Sequence, residues 1–171
     1  VHWNCRSLKR KKLVLRDFLR KRNPDIVALQ ETWNTSENPP KFTTYDTIKK
    51  DRPKKKGGGL MFIIKNTLTY RIKQITPYRD AKIEYQCITI ISKKSETDIL
   101  NMYIPPNTTL EQEEFLHYLN QLQNQFIICG DMNGRHRLWE PSSYRNNNPI
   151  GNVLCEILDN HDNITLATPP D

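Results

Sequence analysis

The stretch Gly57-Gly58-Gly59-Leu60-Met61-Phe62-Ile63-Ile64-Lys65-Asn66-Thr67-Leu68-Thr69-Tyr70-Arg71-Ile72 decides the fold class. Three glycines open onto an unbroken apolar run, Leu60 to Ile64, bounded on both sides by turn residues, which predicts a strand. Asn66-Thr67 predicts a hairpin turn into a second strand, Leu68 to Ile72. Downstream, Ile83 to Ile91 and Ile99 to Ile104 read as two more strands across the charged turn Lys93 to Asp98. The middle of the chain is therefore a run of hairpins.

Working outward, Val1 to Trp3 reads as the end of a strand. Ser7 is placed to cap a helix reaching about Arg22, with Leu8, Leu15, Phe18 and Leu19 as its buried stripe and Asn23-Pro24 as its stop. Asp25 to Gln30 suits a strand buried on both faces. A polar, proline-bearing segment follows through Lys56. On the other side, Thr109 with Gln112 three residues later predicts a capping box for a helix to about Gln123. Phe126 to Cys129 reads as a buried strand, Ile150 to Leu158 as a helix and Ile164 to Ala167 as a last strand. The order is βα, then hairpins, then αβαβ. It predicts an α/β (α+β) fold: a layered sandwich with mixed, largely antiparallel sheets, in one domain spanning residues 1–171.

Composition narrows the class. The chain has 171 residues, 36% hydrophobic and 26% charged, which suits one globular domain and excludes a coiled coil or a collagen-like chain. Its longest apolar run is far below the length of a bilayer span, and no signal peptide opens it, so no membrane partner is expected. Cys5, Cys87, Cys129 and Cys155 lack the paired spacing of zinc sites and read as reduced thiols of an intracellular protein.

The formal charge is +7, and it is concentrated. Nine cations fall between Arg6 and Arg22, opposed only by Asp17, and six more between Lys49 and Lys56, opposed only by Asp51. Two such clusters predict a polyanionic partner, because neutralised phosphates release counterions whatever the base sequence.

Three strands end in polar residues of one chemical kind. Trp3 leads into Asn4, Leu29 into Gln30-Glu31, and Gly130 into Asp131-Met132-Asn133. Strand ends are rigid platforms, so these groups can converge, and their oxygens are hard ligands suited to Mg²⁺ or Mn²⁺. Tyr103, stiffened by Pro105-Pro106, can donate a hydrogen bond to a phosphate oxygen.

Asn4-Cys5-Arg6, Leu29-Gln30-Glu31-Thr32-Trp33, Gly57-Gly58-Gly59-Leu60, Tyr103-Ile104-Pro105-Pro106 and Gly130-Asp131-Met132-Asn133 follow one another in the order and spacing of the endonuclease/exonuclease/phosphatase family. The chain most resembles the apurinic-endonuclease-like domain of non-LTR retrotransposons. The resemblance implies a metal-dependent phosphodiesterase that nicks target DNA in the nucleus and leaves a 3′-hydroxyl to prime a reverse transcriptase of the same polyprotein. It implies Glu31 as the principal Mg²⁺ ligand with Asn4 beside it, Asp131 orienting the attacking water or assisting the leaving group, and Asn133 and Tyr103 on the phosphoryl oxygens. Arg6, Lys54, Lys55, Lys56, Arg135 and His136 are the expected nucleic-acid contacts.

The family ends in a Ser-Asp-His motif, whereas this chain stops at Thr168-Pro169-Pro170-Asp171, so a fragment of weak or no activity with an exposed sheet edge is expected. Two other readings stay open. One is a phosphatase acting on inositol-type phosphoesters, the other a nucleic-acid-binding module without chemistry.

Overall fold

A computed structural model of the chain describes residues 1–34, 40–52, 57–79, 82–140 and 146–167. Its elements are β1 (His2–Asn4), α1 (Leu8–Arg22), β2 (Ile26–Gln30), β3 (Tyr45–Lys50), β4 (Leu60–Lys65), β5 (Thr69–Lys73), β6 (Glu84–Ile91), β7 (Glu96–Tyr103), α2 (Gln112–Leu119), β8 (Gln125–Asp131) and α3 (Pro149–Asn160). They form two sheets, β1-β2-β4-β3 and β5-β6-β7-β8. The β1–β2 and β7–β8 pairs are parallel and the other pairs antiparallel, the mixed arrangement expected.

Side-chain alternation builds the layers. Along β2 and β4, Ala28, Phe62 and Ile64 point toward the second sheet and meet Ile88 there. Their neighbours Val27, Leu29, Met61 and Ile63 point the other way and pack under Leu8, Leu15 and Leu19 of α1. Beyond the second sheet, Cys87, Leu100 and Met102 pack against Phe115 and Tyr118 of α2 and Ile157 of α3. The order of layers is helix, sheet, sheet, helices. Burial on both faces explains why β2 and β4 are continuous apolar runs.

The hairpin expected at Asn66-Thr67 is instead a crossing between sheets. A turn forms there, closed by the Leu68 N–H on the Lys65 carbonyl at 3.0 Å. β4, however, already has β2 on one side and β3 on the other, so β5 has no edge to join and pairs with β6. β3 itself arises within the segment read only as polar and proline-bearing. It is an edge strand with only Tyr45 buried, and the few apolar residues that such a strand needs leave a faint pattern.

Other differences lie at element ends. Ser7 stands at the N-cap of α1 but its side chain does not cap; the Ser7 and Leu8 N–H groups bond the carbonyls of Glu31 and Thr32 instead, each at 2.9 Å. Phe18 is only half-buried. The Thr109 capping box does not form, because α2 starts from Glu111 and ends at Leu119 in tight turns at Gln121 and Leu122 that lead the chain into β8. β8 is an edge strand rather than a buried one, with Ile127 55% exposed. Residues 164–167 form no strand. No helix among the described residues is long and apolar enough to cross a membrane, and all four cysteines are free.

Candidate active site

The polar groups gather at one end of the sandwich. In the first sheet, parallel pairing sets Asn4 beside Gln30. The ladder then continues past the strands: Cys5, Ser7 and Leu8 donate to the carbonyls of Gln30, Glu31 and Thr32. On the other side of the same loop, the Thr32 and Trp33 N–H groups bond the carbonyls of Gly59 and Gly58, at 3.1 and 2.9 Å. The loop carrying Glu31 is thus gripped from both flanks. Glu31 and Trp33 both adopt left-handed backbone, φ 50° and 48°. Such a conformation costs a non-glycine residue about 1–3 kcal/mol and persists only where its surroundings enforce it.

In the second sheet, β6, β7 and β8 align Glu84, Tyr103 and Asp131 on one transverse rung. Gly130, at φ 144°, lets β8 lie close to β7: a Cβ there would run into the Met102 carbonyl. Between the sheets, Gln30 Nε2 donates to Asn101 Oδ1 at 2.7 Å, and Asn101 Nδ2 donates to the Leu29 carbonyl at 3.1 Å. This buried amide pair marks the passage from apolar layer to polar site.

Asn4 closes the two halves. Its Nδ2 donates to Glu31 Oε1 at 2.7 Å and to Asp131 Oδ2 at 2.6 Å, joining residues 127 positions apart. Trp33 Nε1 donates to the second Glu31 oxygen at 3.2 Å, and the Asn133 N–H donates to Asp131 Oδ1 at 3.1 Å. Burial, followed by the nearby Glu31 carboxylate, pushes the Tyr103 hydroxyl up to about 12 despite Arg52 beside its ring, so it remains a donor at physiological pH. An open cleft of about 370 Å³, lined by Trp3, Asn4, Cys5, Arg6, Lys11 and Asp131, lies over these groups.

The family profile described as Endonuclease/Exonuclease/phosphatase family matches residues 1–169. The chain belongs to the endonuclease/exonuclease/phosphatase family. It is 28% identical over 169 residues to a probable RNA-directed DNA polymerase from transposon X-element of Drosophila melanogaster, covering 97% of this chain and 18% of that one. It is 26% identical to the RNA-directed DNA polymerase from mobile element jockey of Drosophila funebris, with the same coverage. The chain thus spans under a fifth of the length of these relatives. Among solved structures, the endonuclease domain of TRAS1, a telomere-specific non-LTR retrotransposon, superposes with TM-score 0.66 at 15% identity, over 92% of this chain and 69% of that one. An AP endonuclease from Archaeoglobus fulgidus superposes with TM-score 0.54 at 18% identity, over 78% and 56%. At such identities the likeness is one of fold.

Within this endonuclease/exonuclease/phosphatase domain, the residues singled out from sequence fall into three groups. Asn4, Glu31 and Asp131 meet directly, and Tyr103 joins them beside Glu31. Asn133 is adjacent, held at φ 49° with one amide hydrogen on the Ile104 carbonyl at 2.9 Å, which leaves its second hydrogen for another acceptor. Arg6 is exposed at the cleft, and its N–H anchors Asn4 Oδ1 at 3.2 Å. Arg135 is exposed as well. His136 does not fit a nucleic-acid contact: it is buried, with its ring 5.0 Å from that of Trp139 and its Nδ1 accepting from the Leu138 N–H. Lys54, Lys55 and Lys56 lie outside the described residues.

Part of the second basic cluster serves the fold. Lys49 pairs with Asp51 at 2.6 Å, Lys50 sits 3.8 Å over the Tyr85 ring, and Arg52 pairs with Glu84, whose other oxygen accepts from Gly59 N–H at 2.6 Å. Glu84 thus fastens Arg52 and the glycine loop to β6, the strand paired with Tyr103's, and nothing local in sequence links Arg52 to a residue 32 positions away. Lys11 at the cleft was legible only as one cation among nine.

The donor set suits a hard divalent cation. Among the described residues neither Glu31 nor Asp131 forms an ion pair, and their nearest shared partner is a neutral amide. No group of three or more His, Cys, Asp or Glu side chains forms a closed cage among the described residues. One or two carboxylates with water and substrate oxygens is what Mg²⁺ takes, rather than an all-protein cage.

Proposed function

We propose that this domain is a Mg²⁺-dependent phosphodiesterase that nicks DNA, acting in the nucleus as part of a retrotransposon polyprotein whose reverse transcriptase extends the released 3′-hydroxyl. One observation carries the chemistry: two carboxylates from different sheets converge on a single amide nitrogen, and among the described residues neither forms an ion pair. The likeness to the transposon polymerases supports the DNA substrate, as do Arg6 and Lys11 in the cleft.

In this reading Glu31 and Asp131 hold Mg²⁺, with Asn4 beside them. When bound, the ion supplies positive charge to the phosphoryl oxygens as the anionic centre gains charge. Asp131 orients a water and accepts its proton as the water oxygen bonds to phosphorus. The bond from phosphorus to the 3′-oxygen breaks and the departing oxygen takes a proton from solvent water, leaving a 5′-phosphate and a 3′-hydroxyl. Tyr103 and the second amide hydrogen of Asn133 donate to the phosphoryl oxygens. Among the described residues no histidine hydrogen-bonds to Glu31 or Asp131, so the rate is expected to be low.

The test is nicking of supercoiled plasmid with protein in excess and Mg²⁺ present. Open circles with 3′-hydroxyl ends are expected, with Glu31→Gln and Asp131→Asn each lowering the rate on the order of 10²–10³-fold. Nicking that survives both substitutions or survives EDTA refutes the proposal. Turnover of an inositol polyphosphate with no action on plasmid assigns the site to the small-molecule reading instead.

A further inference from the structure

Trp33 stands beside the site without being absorbed by its chemistry. The other two tryptophans of the chain are half-buried, Trp3 against the α1 core and Trp139 against His136 with its N–H on the Gly134 carbonyl. Trp33 is 42% exposed, and among the described residues no ring stacks on it. Its position is nonetheless tightly specified. The backbone N–H is bonded to Gly58, the backbone is left-handed, and the indole N–H is fixed on the Glu31 carboxylate. Gly57 stands beside the indole nitrogen, where an added Cβ would come into van der Waals contact with it at 3.7 Å. A large aromatic surface is therefore held in one orientation, wet, next to a carboxylate of the proposed metal site.

We propose that the Trp33 indole is a stacking platform for a nucleobase of the bound strand. The domain would then engage DNA that is unpaired next to the phosphate at the Asn4–Glu31–Asp131 spot. This rests on the nucleic-acid reading of the site. The chemistry that fits an exposed, pre-oriented indole is another planar π face, and stacking of a base on an aromatic side chain tolerates any base. Arg6 and Lys11 in the adjoining cleft answer the backbone phosphates while the ring answers the base. A paired base keeps its own stacking neighbours, so the ring discriminates between unpaired and paired strands. Fixing the ring before binding lowers the ordering cost.

The test measures binding in EDTA, where cleavage plays no part. A single-stranded 12-nucleotide DNA carrying 2-aminopurine reports stacking by fluorescence quenching. Trp33→Leu is expected to weaken single-strand binding about tenfold and abolish the quenching, while Trp33→Phe keeps most of both. Affinity for the same sequence as a full duplex is expected to be equal in all three proteins. Wild-type affinity in Trp33→Leu, equal losses on single strand and duplex, or no single-strand binding by the unaltered chain would each overturn the proposal. If thermal melting shows Trp33→Leu unfolded, Trp33→Phe decides: lost quenching refutes stacking and retained quenching supports it. Failure here leaves the plasmid assay with Glu31→Gln and Asp131→Asn untouched, and failure there leaves this binding result intact.

Discussion

Asp98 and the Glu31–Asp131 pair are both carboxylate sites tied to the second sheet, and they are treated in opposite ways. Asp98 is fully buried on β7 and answered within the chain: Lys73 Nζ lies 2.8 Å away, Thr89 Oγ1 2.7 Å and Asn124 Nδ2 3.1 Å. Burial alone would raise its pKa, but these three donors hold it below the ordinary carboxylate value. Glu31 and Asp131 sit half-buried and share one neutral amide. A carboxylate whose charge is met inside the fold is part of the scaffold. A pair with no ion-pair partner among the described residues is where the proposed cation would be held.

That contrast is sharpest in stability. Asp98→Ala leaves the Lys73 ammonium, 17% exposed, without its partner, and is expected to destabilise by about 3–5 kcal/mol in urea unfolding. Gly130→Ala should cost about 3 kcal/mol, because β8 must move off the Met102 carbonyl and carry Asp131 with it; nicking should fall in step. A Gly130→Ala protein with unchanged stability would break the account of how Asp131 is placed.

At the open pair the expected sign reverses. Asp131→Asn should stabilise the metal-free protein, or leave it unchanged to within about 1 kcal/mol, while lowering nicking on the order of 10²–10³-fold, since it removes a charge with no ion-pair partner among the described residues. Added Mg²⁺ at a hundredfold excess over its Kd should raise stability by about 2.7 kcal/mol in the unaltered protein and much less in Asp131→Asn. A similar Mg²⁺ response in both proteins would assign the ion to another site. The smallest effect is in acid. Because the folded-state pKa of Asp98 is depressed, its contribution is fully present above the ordinary value of 3.8 and is lost as pH falls through the lowered value. Asp98→Asn should flatten that acid limb in pH-dependent urea melts.

Much of this was legible in the linear chain, for reasons that differ by residue. β2 and β4 declared themselves because strands buried on both faces must be apolar at every position. Glu31 and Asp131 declared themselves by following such runs. β3 did not, because an edge strand with one buried residue needs little apolar character. Ser7 and Thr109 show the limit of capping signals: both residues can cap, but backbone carbonyls of the Glu31 loop took the first donors of α1, and the N-cap of α2 fell two positions after Thr109, at Glu111. His136 looked available from its neighbours and is packed on Trp139.

Sequence by itself determined the alternation of apolar and polar positions, the elements that alternation implies, and which chemical groups stand at strand ends, because these follow from periodicities of two and 3.6 residues within one segment. Tertiary structure alone decided that β5 leaves β4 for the other sheet, that Arg52 answers Glu84, that Asp98 is neutralised while Glu31 and Asp131 form no ion pair among the described residues, and that the Trp33 ring stays partly exposed. Those outcomes depend on which edges and charges are already taken by residues distant in the chain, and no local pattern carries that information.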